Sequence, residues 1–242
     1  MQMPSTKPSE RKIQTPDSPG VKTLIERVYR DLKHDIIRGH LRPGAKLPIE
    51  ELRARYAVSS STIREALLLL VADSLVTSEG QRGFRSAPVS LEDFREITNL
   101  RKMMETMALR ESIALGDDNW EAAVVAAFHN LSLIDTRGTR KSESLAREWD
   151  QRNQDFHDAL LSASKSTWVR HFRRILYHSS ERYRVLSLAT QKIRSGVRQE
   201  HKAIMEAALA RDADRACRLT EEHIEHTFAT VAKIPKEMLV GA

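Results

Sequence analysis

Four residues in the C-terminal half have the types and spacing to hold a metal: Asn153, His157, His201 and His223. Asn153 and His157 are four apart and share a helix face. His201 and His223 flank a turn signal at Arg211-Asp212, and at 1.5 Å rise per residue each lies roughly 15 Å from that turn. An antiparallel helix pair would bring them level. A third helix carrying Asn153 and His157 against that pair completes an N/O ligand set suited to a divalent transition metal such as zinc or nickel. The other reading is four unconnected side chains at surface or core positions.

A second group lies in "VSSSTIREALLLL" at 58–70. The hydroxyls of Ser60, Ser61 and Thr62 and the guanidinium of Arg64 cluster on the first turn of a helix whose inward stripe is Ile63, Ala66, Leu67 and Leu70. A free helix N-terminus favours phosphate, and an arginine one turn in reaches a guanine edge or a phosphate. Ser59 or Ser61 acting only as a helix cap is the alternative.

The elements that must position these groups divide the chain in two. Its 242 residues are 40% hydrophobic and 30% charged, with a net charge of +6. Residues 1–90 hold 15 Lys/Arg against 10 Asp/Glu, and residues 91–242 hold 24 against 23, so the basic excess sits in the first third. That excess suits a polyanion, or is a basic surface without a partner. The single Cys217 rules out an intramolecular disulfide and agrees with a reducing cytoplasm. No apolar run approaches the ~20 residues of a membrane span. The opening "MQMPSTKPSERKIQTPDSPG" lacks the apolar core of a secretory signal, and residues 1–20 are read as a disordered arm.

Leu24, Val28, Leu32, Ile36 and Ile37 then recur at helical spacing, with Gly39 as a C-cap. Short helices over 49–56 and 61–73 follow, joined by a tight turn. Leu75 to Thr77, a Glu-Gly turn and Phe84 predict a two-stranded wing. Residues 21–88 are thus expected to form a winged helix-turn-helix. After a linker at 86–90, residues 91–232 show only helical periodicity. Six helices are expected, over 91–115, 118–134, 143–163, 167–190, 194–210 and 212–231, the first capped by Ser90 in "SLED". The fold class is mainly α: a winged helix-turn-helix followed by an all-α bundle.

The segment Gly39–Phe84 resembles the N-terminal domain of the GntR family of bacterial transcription regulators. The pieces that carry the resemblance are "GHLRPGAKL", "ELRARYAVS", "REAL", the "LV" of Leu75-Val76 and the "RGF" of Arg82–Phe84. It implies a homodimer on pseudo-palindromic double-stranded operator DNA. Arg64 matches the family's DNA-contacting arginine, and Arg82 and Gly83 lie in the wing that enters the minor groove. Ser60 stands where the family usually has arginine, so base preference there is expected to differ.

Asn153–Ser164, Glu200–Ala207 and Asp212–His223 resemble the FCD ligand domain of the FadR subfamily. That resemblance implies a metal site of one Asp and three histidines, with Asn153 here at the Asp position, and a small organic acid as effector. His129, His171, His178 and His226 do not match the motif and are read as packing or surface groups. Arg101 matches an arginine of the first ligand-domain helix. It either pairs with the effector carboxylate or with Glu105 at i+4. Arg182 and Arg184 in "ERYR" are further effector candidates. A metal-dependent enzyme is the competing reading, but there is no HExxH arrangement and no nucleophile–base pair. The chain is therefore expected to be a cytoplasmic regulator, not an enzyme and not bound to a membrane.

Overall fold

The computed structural model describes residues 19–135, 143–189 and 196–233. The expected arm, up to residue 18, and the breaks near 136–142 and 190–195 lie outside the described residues. In chain order the elements are α1 (Pro19–Ile37), α2 (Ile49–Tyr56), α3 (Ser60–Ala72), β1 (Val76–Ser78), β2 (Phe84–Ser86), α4 (Leu91–Leu115), α5 (Asp118–Asp135), α6 (Glu143–Leu160), α7 (Thr167–Ala189), α8 (Val197–Leu209) and α9 (Ala213–Val231).

The first five build a winged helix around Val28, Leu32, Ile36, Leu52, Ile63, Leu67 and Leu70. The expected stripe of α3 is wholly buried, and truncating one such leucine to alanine costs about 2–5 kcal/mol. Ala57 ends α2 in the left-handed region at φ 53°, and Ser59 then caps α3 by accepting the Thr62 amide at 3.2 Å. β1 and β2 pair antiparallel, Val76 opposite Ser86. A one-turn 3-10 helix, Gly80–Arg82, forms the tip where a bare Glu-Gly turn was expected. Gly83 closes it at φ 89°, which favours glycine. The segment after the "RPG" turn also joins the wing: Lys46 bridges Arg85, and Leu47 N–H donates to the Phe84 carbonyl at 2.8 Å.

The six helices from Leu91 onward fall within a few residues of their expected bounds. Ser90 caps α4 by accepting the Asp93 amide at 3.0 Å. Ala108, Leu109, Trp120, Val124, Phe156, Leu160, Ile204 and Ala207 form the main core. A smaller cluster of Phe94, Tyr183 and Phe228 closes the end nearest the linker. Helix α7 runs antiparallel to α4, with Tyr183 Oη donating to Asp93 at 2.5 Å and Ser164, before α7, donating to Glu111 at 2.7 Å.

Helix α7 also carries the winged-helix domain. Arg174 pairs at 3.5 Å with Asp73, the residue that caps the C-terminal end of α3, and Tyr29 of α1 hydrogen-bonds the same carboxylate. Arg182 donates to the Ala87 carbonyl in the linker. Beside it, Arg38 at the end of α1 reaches Asp150 of α6 at 2.7 Å. Among the described residues no helix is long and apolar enough to cross a membrane.

Candidate functional site

The first turn of α3 presents Ser61 and Arg64 to solvent, with Ser60 half-buried. Ser61 Oγ lies 2.8 Å from Ser59 Oγ, and Ser60 Oγ donates to Glu50 at 3.2 Å. Thr62 departs from expectation. It is buried, and its hydroxyl shares a 2.9 Å hydrogen bond with Ser59, so it completes the cap from inside and does not join the outward surface. In the wing, Arg82 is exposed at the tip beside half-buried Gly83, and a 2.9 Å Arg85–Glu79 pair braces the strands below. The outward set is therefore Ser60, Ser61 and Arg64 on the helix with Arg82 and Gly83 on the wing. Such a surface suits phosphate and base-edge contacts at one major groove and its neighbouring minor groove.

In the bundle, α6, α8 and α9 bring His157, His201 and His223 together. All three are buried, and their ligand atoms lie within 4.8 Å of one another. Ring centroids are 5.2 Å apart for His157–His201, 5.3 Å for His157–His223 and 4.7 Å for His201–His223. His201 and His223 thus stand level across the Arg211-Asp212 turn, where α8 pairs with α9. Burial pushes the His157 imidazole well below its ordinary value, and the neighbouring imidazoles and Arg173 add to this, so it is neutral near pH 7. A neutral imidazole keeps the lone pair that a metal needs.

Asn153 sits one turn before His157, buried, with its amide nitrogen donating to Tyr177 Oη at 3.0 Å. Its carbonyl oxygen is the one ligand atom an amide offers. The donor chemistry of three buried imidazoles with an adjacent amide fits a divalent transition-metal ion.

Two groups escaped the sequence reading. Glu200 spans two imidazoles, Oε2 lying 2.7 Å from His223 Nδ1 and Oε1 3.0 Å from His226 Nδ1. A carboxylate on Nδ1 fixes the proton there and turns Nε2 of His223 outward as a ligand atom. The register that levels His201 with His223 places Glu200 beside it too, so this signal was in the sequence. Arg173 carried no such signal. It is buried, pairs with Asp158 through Nη1, and its Nε and Nη2 have no hydrogen-bond partner among the described residues.

Arg101 donates to Glu105 at 2.8 Å and to Ser180 at 3.0 Å. Burial alone would raise the Glu105 carboxyl, but Arg101 and Arg173 hold it below the usual range. Both guanidiniums also act on His157, and the Glu105 carboxylate offsets part of their charge. Arg182 and Arg184 are not brought there: Arg182 holds the linker, and Arg184 pairs with Asp150 at 3.0 Å. His178 and His226 do not join the cluster either; His178 is buried 3.6 Å from Glu181. A second histidine group, His34 and His40 around Asp35, is a hydrogen-bonded hub. Arg55 at 2.7 Å and Tyr56 at 2.6 Å occupy Asp35 Oδ2, and His40 lies 3.0 Å from Oδ1.

Comparison with known proteins matches both halves. Residues 24–85 fit the family model described as bacterial regulatory proteins, gntR family, and residues 96–226 fit the FCD domain model. The chain is 46% identical over 211 residues to the HTH-type transcriptional regulator BphR of Paraburkholderia xenovorans, covering 87% of this chain and 86% of that one. It is 37% identical over 200 residues to the HTH-type transcriptional repressor GlaR of Escherichia coli, covering 81% and 90%. Among solved structures, Escherichia coli McbR/YncC superposes with a TM-score of 0.69 at 21% identity, covering 87% of this chain and 97% of that one. A GntR regulator from Rhodococcus sp. RHA1 superposes with a TM-score of 0.67 at 24% identity, covering 88% and 99%. At these identities the structural matches speak for the fold alone.

Proposed function

The chain belongs to the gntR family of bacterial regulatory proteins, with an FCD domain behind its DNA-binding domain, and from that premise we propose that its affinity for operator DNA is set by a small organic acid bound beside a metal ion in the helical bundle. It is a transcriptional regulator, as its named relatives are, and not an enzyme. The observation that carries the finer reading is the convergence of three buried histidines beside Arg101 and Arg173.

In this reading His157, His201 and His223, with the Asn153 carbonyl, hold a divalent ion of the zinc or nickel type. The ion supplies open coordination positions to a carboxylate. Arg173 offers two unused donors, Nε and Nη2, in the fork geometry that receives a carboxylate bidentately. Arg101, tied to Glu105 and Ser180, adds to the charge beside His157. Ser60, Ser61 and Arg64 read the major groove, and Arg82 and Gly83 enter the minor groove.

The proposed assembly is a homodimer on a pseudo-palindrome. Leu100, Met103 and Met107 form an exposed stripe on α4, and Trp168 and Phe172 are exposed on α7. The antiparallel register of the two helices sets Met103 and Met107 level with Phe172 and Trp168, and an apolar patch there would suit a second copy. Elemental analysis of the purified chain beside His157→Ala and His201→Ala tests the site. Zinc or nickel in the parent and not in the variants is expected. A parent that neither carries nor binds either ion refutes the metal reading.

A further inference from the structure

The histidine site is joined to the DNA-binding domain by a run of buried polar side chains. Asn153 Nδ2 donates to Tyr177 Oη at 3.0 Å. The Arg184 guanidinium lies against the same tyrosine, its carbon 5.8 Å from the ring centroid, and forms an ion pair with Asp150 Oδ1 at 3.0 Å. Asp150 Oδ2 in turn accepts from Arg38 at 2.7 Å. Asn153 and Asp150 are three apart on α6, Tyr177 and Arg184 lie on α7, and Arg38 is the residue after α1. Asp150, Asn153 and Tyr177 are all at least nine-tenths buried, so these bonds are shielded from competing water.

Resting on the proposed ligand site, we infer that Tyr177 is a positioning residue which holds Asn153 toward the histidines and, through Arg184 and Asp150, passes the state of that site to Arg38 in the DNA-binding domain. The Asn153 amide cannot swing onto an ion without bearing on the Tyr177 hydroxyl. The Tyr177 ring cannot shift without bearing on Arg184, which pairs with the carboxylate that anchors Arg38. The interface is not closely packed. A cavity of about 400 Å³ between α1, α6 and α7 is lined by Arg38, Asp150, His178 and Glu181. Movement of Arg38 would be felt at the reading helix, because Arg174 of the same α7 holds the Asp73 cap of α3. The departure from Asp to Asn at 153 also finds a use: an amide donates to Tyr177 while keeping an oxygen for an ion, which an ionised carboxylate cannot do.

The test is hydrogen–deuterium exchange of the full chain with and without Zn²⁺, following residues 145–160 at the site and 28–40 at the end of α1. In the parent, Zn²⁺ is expected to slow exchange in both segments. Arg38→Met, away from the site, is expected to keep the response at 145–160 and to shrink that at 28–40 by about fivefold or more, the lower end of allosteric coupling. Tyr177→Phe, which releases Asn153, is expected to shrink both. Variants that retain the full response at 28–40, or a parent that responds at 145–160 alone, overturn the connection. A parent in which Zn²⁺ changes neither segment overturns the metal reading of the site. The connection is then decided without an ion. Tyr177→Phe and Arg38→Met do not touch, yet their losses in Tm are expected to be non-additive, and additive losses overturn it.

Discussion

Replacing Glu200 tests how the site is held together. Its carboxylate grips two imidazoles, His223 at 2.7 Å and His226 at 3.0 Å. Of these His223 is buried and His226 is not. Glu200→Gln keeps the shape but leaves one acceptor oxygen and no charge. That oxygen is expected to stay with buried His223, where an unmet N–H costs most, so the ring keeps its tautomer and loses only the basicity lent by the carboxylate. Glu200→Ala removes the orientation as well. Loss of such an outer partner weakens metal binding about 10–100-fold, equivalent to about 1.4–2.7 kcal/mol. Gln is expected near the lower figure and Ala near the upper. Competition for Zn²⁺ against a chromophoric chelator at pH 7.5 reads the affinity, and thermal melting without metal controls for folding. Equal affinities in the parent and both variants would refute the assignment of Glu200 as the group that sets the His223 tautomer.

Other consequences follow from particular residues. Ser60→Arg is expected to shift base preference in DNA selection at one position per half-site by about 1–3 kcal/mol; an unchanged preference would show that this position does not face a base. Stability should fall in acid. The folded His157 value is depressed, so below the unfolded value near 6.5 the unfolded chain takes up a proton that the native site refuses, at a cost of up to about 1.4 kcal/mol per pH unit. In metal-free protein, Tm between pH 7.5 and 5.5 should fall less in His157→Gln than in the parent, and matching slopes would contradict the neutral, buried histidine. Met103→Glu, on the exposed face of α4, is expected to convert the proposed dimer to a monomer by light scattering; an unaltered mass would place the interface elsewhere.

The parts legible in the sequence are those that periodicity and punctuation determine. The buried stripe of α3 follows from 3.6-residue spacing, and the levelling of His201 with His223 follows from their distances to one turn. Thr62 misled because an N-terminal hydroxyl serves equally as a surface donor or as part of a cap, and the Ser59 hydrogen bond decides between them only in three dimensions. Lys46 joined the wing without any alternating pattern, since a single bridge needs only backbone. Arg182 was assigned by residue type, but its neighbours are set by which face of α7 meets the linker. That helix is buried against α4 on one side and meets the DNA-binding domain on another, so no single apolar stripe marks its orientation. Arg173 and Tyr177 were hidden for the same reason.

The central claim is control of DNA binding from the helical bundle. The direct measurement is selection of bound fragments from a genomic DNA pool, followed by fluorescence anisotropy of the enriched site. Anisotropy would be read with Zn²⁺ and a panel of small organic acids, for the parent, Arg64→Ala and Arg173→Ala. Enrichment of a pseudo-palindrome is predicted, with specific binding lost in Arg64→Ala. An acid should alter the parent's affinity by about fivefold or more and leave Arg173→Ala unmoved. Failure to enrich any palindrome, or an acid response that survives in Arg173→Ala, would contradict it.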